Sequence, residues 1–155
     1  MQKITTFLTF KSGGKKAVDF YCSVFKDSKI DHTMTRPETN QLLHAAFSLN
    51  GQEFMAMDAD DYPGFTFTDG ISLFISCADQ AEVDYYWDAL LADGGETQAC
   101  GWLKDQFGVR WQVIPNRLGE LMSDPDPEKS SRVMQAMFKM KKLIIADLEA
   151  AYNSN

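Results

Sequence analysis

The sequence predicts an α+β fold built from paired βαβββ modules, followed by a C-terminal helical tail. Three observations support this prediction. Gly51-Gln-Glu-Phe-Met-Ala-Met aligns with Gly108-Val-Arg-Trp-Gln-Val-Ile, and upstream Val18-Asp-Phe-Tyr aligns with Val83-Asp-Tyr-Tyr. The strand and helix patterns around these segments also recur in the same order. Two curved sheets placed side by side leave a cleft, so the side chains expected to line that cleft are the candidate functional residues.

Composition excludes several classes of protein. The chain has 155 residues, of which 45% are hydrophobic and 12% aromatic, and its net charge is −7. These values are ordinary for a globular protein, and the acidic balance argues against nucleic acid as a partner. No stretch is apolar for long enough to span a membrane, and the opening MQKITTF lacks the pattern of a signal peptide. Because the three cysteines lack metal-type spacing, we expect reduced thiols and a cytoplasmic location.

Module one is predicted over residues 3–58. Its expected elements are a strand over 3–10, a helix over 15–25 and strands over 29–36, 42–49 and 52–58. The strand over 29–36 is polar and ends at Pro37, which is typical of a sheet edge. Asn50-Gly51 favours a type I′ hairpin because both residues tolerate positive φ.

An acidic connector over 59–69, which contains Pro63 and Gly64, is expected to separate the modules. Module two is predicted over 70–115. Its expected elements are a strand over 70–77, a helix from Asp79 to about Asp93 and strands over 96–99, 101–104 and 109–115. Asp79 and Glu82 have the spacing of a capping box.

The tail is predicted to be helical over about 123–152. Asp126-Pro127-Glu128 provides an N-cap, a proline in the first turn and an acidic residue that favours a helix N-terminus. The sequence leaves open whether the tail is one helix or is kinked or broken into two around Lys141-Lys142.

Six segments in order resemble a known family. They are Ile4-Thr-Thr-Phe-Leu-Thr-Phe, Ala17-Val-Asp-Phe-Tyr, Asn50-Gly-Gln-Glu-Phe, Cys100-Gly-Trp-Leu, Gly108-Val-Arg-Trp-Gln-Val-Ile-Pro and the tail around 137–152. In these segments the chain resembles the vicinal oxygen chelate superfamily of glyoxalases, bleomycin-resistance proteins and extradiol dioxygenases. Within it, the chain resembles the PhnB-like branch, also called 3-demethylubiquinone-9 3-methyltransferase-like. The resemblance implies a glyoxalase/bleomycin-resistance-like fold and a homodimer. It also implies a metal site whose ligands come from the first and last strand of each module.

The metal site can be tested by strand parity, since alternate side chains take opposite faces. When the four metal-ligand positions of the superfamily are transferred to this sequence, they fall on Thr5 (or Phe7 after a register slip), Met55, Ser72 and Gln112. Thioether and hydroxyl groups are poor donors for a hard divalent ion, so no tight catalytic metal and no cofactor is expected. A weakly held divalent metal on Gln112, with Glu53 or His44, is the alternative. His32 and His44 are otherwise expected in surface or structural roles.

Four other features have a structural and a functional interpretation. Gly13-Gly14 lacks the spacing of a phosphate loop and is interpreted as a tight turn, which also weakens the methyltransferase name. Cys100 is interpreted as a small packed thiol rather than a nucleophile. Trp102 is interpreted equally as a ring on which a flat ligand stacks or as a residue packed in the core. Glu53 and Arg110, at equivalent places in the repeats, form either a structural ion pair or a base with an anion anchor.

Two functional hypotheses follow. The first is a cytoplasmic, homodimeric small-molecule-binding protein with an apolar, aromatic cleft and neither a nucleic-acid nor a membrane partner. Its expected ligand-binding residues are Thr5, Phe7, Met55, Ser72, Phe74, Trp102 and Gln112. The second is an enzyme of glyoxalase, dioxygenase or nominal methyltransferase type, using the weak metal or the catalytic candidates Glu53 and Arg110 alone. The identity of the ligand does not follow from the sequence.

Overall fold

A computed structural model describes residues 2–60 and 62–154 of the chain. The chain divides into two compact units, one ending at Thr66 and the other beginning at Phe67. Each unit contains one four-stranded mixed sheet and a helix that packs on it. The predicted α+β fold with repeated βαβββ modules and C-terminal helices is therefore confirmed.

Unit 1 contains the first βαβββ module. Its elements are β1 (Thr6–Phe10), α1 (Gly14–Val24), β2 (Ser28–Thr35), β3 (Leu42–Leu49) and β4 (Gln52–Asp58). The strand order is β1-β4-β3-β2, with β1 parallel to β4 and the other pairs antiparallel. The β3–β4 turn has φ of 47° at Asn50 and 79° at Gly51, as the hairpin prediction requires.

Unit 2 repeats this topology. Its module consists of β5 (Leu73–Cys77), α2 (Gln80–Leu91), β6 (Glu96–Thr97), β7 (Trp102–Lys104) and β8 (Arg110–Pro115). The order is β5-β8-β7-β6, again with the first and last strands parallel. The Asp79 carboxylate accepts from the Glu82 amide at 2.9 Å, and the Glu82 carboxylate accepts from the Ala78 amide at 2.7 Å. These two bonds satisfy amides at the start of α2.

The rest of unit 2 is helical. It comprises α3 (Asn116–Met122), α4 (Pro127–Phe138) and α5 (Ile145–Asn153), of which α3 is not predicted by the sequence patterns. The tail after Ser123 thus forms two helices, with the break between them at residues 139–144. These helices bury a core of their own, formed by Leu118, Leu121, Val133, Leu143 and Leu148.

Each sheet has one face packed on its helix and one face turned away, which we call the cleft face. The helix-facing side chains are buried as parity predicts, including Leu8, Phe10, Phe54, Ala56, Ile75, Cys77, Trp111 and Val113. The cleft-face residues are more exposed, and Phe7 and Phe74 have exposed fractions of 45% and 58%. Within residues 2–60 and 62–154, no helix has the length and apolar character needed to cross a bilayer.

Candidate ligand-binding site

A cavity of about 550 Å³ lies within unit 2. Its walls are mostly apolar and come from the cleft face of the sheet, from α3 and from α4. The lining residues are Phe74, Cys100, Trp102, Gln112, Ile114, Pro115, Asn116, Leu118, Gly119, Glu120, Met122 and Met137. The cavity therefore includes Phe74, Trp102 and Gln112, three of the residues predicted to bind a ligand.

Strand register explains how these three side chains come together. Gln112 on β8 is the partner of Phe74 on β5 and of Trp102 on β7. The three residues therefore form one row across the sheet, with their side chains on the same face. An aromatic residue is consequently the neighbour of Gln112 on each side of this row.

The Gln112 amide is held in a defined orientation. Its Nε2 donates to Ser72 Oγ at 2.8 Å, which leaves the amide oxygen as the acceptor of this group. Ser72 and Gln112, two of the predicted ligand positions, thus contact each other. The pair provides a polar anchor in a largely apolar cavity.

Cys100, which also lines the cavity, lies in a backbone segment of unusual conformation, Cys100-Gly101. Both residues have positive φ, 58° and 80°. Their amides donate to the carbonyls of Met140 (2.8 Å) and Lys141 (2.7 Å), in the break between α4 and α5. The Cys-Gly-Trp-Leu segment therefore attaches the helical tail, whose Met137 lines the cavity, to the sheet.

Cys100 lines the cavity but has no activating cation there. None of the described lining residues is lysine, arginine or histidine. A thiol needs a nearby positive charge or base to become a good nucleophile at neutral pH. The arrangement supports packing or contact with a ligand rather than covalent catalysis.

A second and larger cavity, of about 700 Å³, lies in unit 1 beside the Gly13-Gly14 turn. The Asp58 carboxylate already occupies the N-terminus of α1, where it accepts from the Gly14 amide at 2.7 Å and the Leu42 amide at 2.8 Å. A bound phosphate would be repelled by this buried carboxylate. Gly13 has φ of 80°, as expected for a tight turn. Despite its larger volume, this cavity is the weaker candidate, because its lining is polar and mixed in charge.

The unit 1 candidates lie on the cleft face of the first sheet. Phe7 and Met55 are register partners on β1 and β4, and the Phe7 ring meets that of His44 at 6.1 Å, edge to face. His44 therefore points to the cleft face, which is the orientation that the hypothesis of a weakly held metal on His44 required. Its Nδ1 lies 2.8 Å from Nε2 of His32, a pairing that the sequence pattern does not predict. Thr5, which directly precedes β1, is half-buried.

Glu53 and Arg110 each have partners within their own unit. The Glu53 carboxylate accepts a hydrogen bond from the backbone amide of Gln2 at 2.7 Å. Arg110 donates from Nε to Asp69 at 2.6 Å and from a terminal nitrogen to the Gly108 carbonyl at 2.6 Å. The hydrogen bond from Arg110 is the main reason why the pKa of Asp69 is lowered. The positive charge of Arg110 is thus balanced before any ligand binds.

The side chains at the four inherited metal positions do not fit a divalent metal. Thr5 and Ser72 offer neutral hydroxyls, Met55 offers a thioether, and Gln112 offers an amide that is bonded to Ser72. Hard divalent ions prefer carboxylate or imidazole ligands. In the described part of the chain, no three His, Cys, Asp or Glu side chains are grouped so that they could hold a metal.

Comparisons with known proteins agree with this fold. The family model described as 3-demethylubiquinone-9 3-methyltransferase matches residues 2–114. The PhnB protein of Bacillus cereus is 36% identical, with 74% of this chain and 99% of that chain covered and a TM-score of 0.68. PA1353 of Pseudomonas aeruginosa is 22% identical, with coverages of 74% and 98% and a TM-score of 0.60.

The fosfomycin resistance protein FosX of Listeria monocytogenes shares the fold at 16% identity. Coverage is 77% of this chain and 94% of that chain, with a TM-score of 0.55. Another FosX structure holds Mn(II). A search of curated protein sequences gives no match.

The paired βαβββ modules and these structural neighbours define a protein of the vicinal oxygen chelate superfamily. Within that superfamily, the chain belongs to the PhnB-like, 3-demethylubiquinone-9 3-methyltransferase-like family.

Proposed function

We propose that this chain is a small-molecule-binding protein that takes a flat, largely apolar ligand in the unit 2 cavity and holds no tight catalytic metal. The observation that carries the proposal is the row of Phe74, Gln112 and Trp102 in a cavity of about 550 Å³. Small-molecule sites are typically concave and apolar, with a few fixed polar groups that orient the ligand.

The chemistry of the walls narrows the ligand class. The two aromatic rings suit stacking or edge contacts with a planar ring system. The Gln112 amide oxygen suits a donor group on the ligand, since its Nε2 is bonded to Ser72. No described lining residue is basic, and Glu120 is acidic. The ligand is therefore neutral or cationic rather than anionic.

Binding can be measured by isothermal titration with planar aromatic hits from a ligand-observed NMR screen. Phe74→Ala should weaken binding about tenfold, which corresponds to about 1.4 kcal/mol. Phe138→Ala is the matched control, because its ring is similarly exposed (61% against 58%) and does not line the cavity. Equal affinities of the two variants would contradict the proposed site.

Gln112 distinguishes ligand binding from metal chemistry. Gln112→Leu removes the acceptor and should weaken a donor-bearing ligand about tenfold, while an analogue without the donor is unaffected. The weak-metal enzyme predicts instead that stoichiometric divalent metal raises the melting temperature and that Gln112→Ala abolishes the shift. Metal analysis of the purified protein, with a divalent-ion thermal-shift series, decides between the two.

The proposal includes a homodimer in a reducing, cytoplasmic setting. All three thiols, Cys22, Cys77 and Cys100, are free. Unit 1 exposes apolar side chains on its sheet, among them Phe7, Met34 and Leu43. Light scattering on the purified protein should give twice the mass of the chain, and a monomer at micromolar concentration would remove the dimer from the proposal.

A further inference from the structure

The imidazoles of His32 and His44 face each other on the cleft face of unit 1. His32 Nε2 and His44 Nδ1 are 2.8 Å apart. The ring centroids are 5.0 Å apart, and the ring planes differ by 15°. This centroid distance is close to the N···N distance plus two ring radii, so the rings meet edge to edge and nearly coplanar. One nitrogen donates a proton, and the lone pair of the other points at it.

A β-bulge in β2 creates this pairing. The register passes from Ile30↔Phe47 to His32↔Ala46, which leaves Asp31 as an extra residue. Side chains beyond a bulge change face relative to the uninterrupted strand. His32 is thereby placed on the face that carries His44 rather than on the face that packs against α1.

Three methionines lie on the same face of the sheet as the pair. Met34 is the register partner of His44, so their α-carbons are about 4.5–5.5 Å apart. Met55 is the partner of Ala46, which is in turn the partner of His32. Met57 lies two residues further along β4, on the same face as Met55. The face thus offers two imidazoles and three thioethers, and Met34 and His32 are exposed.

We infer that this cluster is a binding site for a soft monovalent cation such as Cu(I), with Ag(I) as its redox-inert substitute. Thioethers favour soft ions, and imidazole binds copper well. Two coplanar nitrogens whose lone pairs converge along one line are arranged for nearly linear two-coordinate binding. A metal–nitrogen bond of about 2 Å requires the nitrogens to separate by roughly 1 Å, which the exposed His32 side chain permits.

Binding to the neutral histidine pair requires no net loss of a proton. The ring that donates the bridging proton carries that proton on its distal nitrogen once the metal binds, so both facing lone pairs become ligands. Met34 completes a third position. Divalent hard ions are disfavoured, because none of the five side chains in the cluster is a carboxylate.

The inference is tested with Ag(I), and with Cu(I) kept reduced by ascorbate against a competing Cu(I) chelator. The protein carries Cys22→Ser and Cys100→Ser to remove the accessible thiols, while Cys77 has no exposed surface. We expect one equivalent to bind, with shifts of the imidazole nitrogens and of the Met34 methyl group in NMR spectra. His32→Ala and His44→Ala should each weaken binding at least about tenfold, and Met34→Leu should weaken it by a smaller factor.

Met134→Leu is the matched control, since Met134 is an exposed methionine on α4, and it should leave the affinity unchanged. Circular dichroism and melting temperature verify the fold of each variant. Undiminished binding by a His32→Ala/His44→Ala double variant would overturn the inference. Binding that disappears only when Cys77 is also replaced, or Zn(II) binding as tight as Ag(I), would overturn it as well.

Discussion

Gly101 shows how one residue fixes the attachment of the tail. It has φ of 80°, and a Cβ placed there would lie 2.9 Å from the Val113 carbonyl oxygen and 2.8 Å from a methyl group of Ile114. Its amide also donates to Lys141. The position therefore requires both the conformational freedom and the small size of glycine.

We predict that Gly101→Ala lowers the free energy of unfolding by about 2–4 kcal/mol, because positive φ and a backbone clash combine. Gly119→Ala is the control: Gly119 is inside α3 with open space around it, and alanine should be neutral or stabilising by up to about 1 kcal/mol. Urea denaturation measures both. Similar losses for the two variants would contradict this account of the Cys100-Gly101 backbone.

The three thiols should differ in reactivity. Burial raises the pKa of the Cys77 thiol to about 12, so only about one part in ten thousand is thiolate at pH 8. Burial also raises the pKa of Cys22, whereas Cys100 opens into the cavity. We predict that an uncharged alkylating reagent labels Cys100 first and Cys77 last, as read by mass spectrometry of the native protein. Labelling of Cys77 before Cys100 would show that the unit 2 core opens more readily than its cavity.

At the level of elements, the β7–β8 turn is organised by one buried carboxylate. Asp105 accepts from the Phe107 amide (2.9 Å), the Val109 amide (3.0 Å) and Trp111 Nε1 (2.8 Å). It is 1% exposed. A buried carboxylate is tolerated when donors surround it in this way. Asp105 thus connects the turn to the strand that carries Gln112.

We predict that Asp105→Ala destabilises the protein by about 2–4 kcal/mol, because three donors lose their acceptor in a buried site. Asp105→Asn keeps one oxygen and should cost less. Chemical denaturation of both variants checks this order. A loss for Asp105→Asn as large as that for Asp105→Ala would mean that the charge, rather than the set of acceptor bonds, dominates.

The elements also show what local sequence predicts. The strands over 42–49 and 52–58 and their Asn50-Gly51 turn were predicted with their observed bounds, because alternation and turn chemistry agree. α3 was missed, because its seven residues contain a glycine and only Leu118 and Leu121 as buried positions. Such a short segment has little periodicity, and packing on the other tail helices determines its structure.

At the scale of the molecule, polar contacts connect the tail of unit 2 to its α2. Gln80 donates to the Leu143 carbonyl and accepts from the Ile145 amide, at 3.1 and 2.8 Å. Lys142 pairs with Asp84 at 3.0 Å. The hydrogen bond from Gln80, followed by the one from Lys142, lowers the pKa of Asp84.

Because its folded-state pKa is lowered, Asp84 stabilises the fold above its unfolded pKa of about 3.9, and this contribution is lost as pH falls through the folded value. We predict that the stability difference between the wild type and Asp84→Asn is constant from about pH 7 to 5 and shrinks below about pH 4. Urea denaturation across this range measures the difference. A difference that instead disappears between pH 7 and 5 would show that a histidine, and not Asp84, controls it.

The duplication and the two faces of each sheet followed from the sequence, because strand parity is a local property. The walls of the unit 2 cavity followed only in part. Phe74 and Gln112 were assigned by parity, and Trp102 was interpreted equally as a stacking wall or as core. Leu118, Met122 and Met137 reach the cavity through α3 and the tail. The pairing of His32 with His44 was missed because one extra residue in β2 changes which side chains face each other.

The bulge at Asp31 has an evolutionary consequence. Loss of the Asp31 codon would restore uninterrupted pairing and leave His32 opposite Ala46, so both imidazoles would stay on the same face. If Asp31 were instead retained and paired with Ala46, His32 would turn toward α1 and the two imidazoles would separate without a change in either histidine. A relative whose second strand is one residue shorter at this point would therefore keep the paired arrangement, whereas a relative of equal length that lacks the bulge would lose it, and a survey of histidine identities alone would not detect the difference.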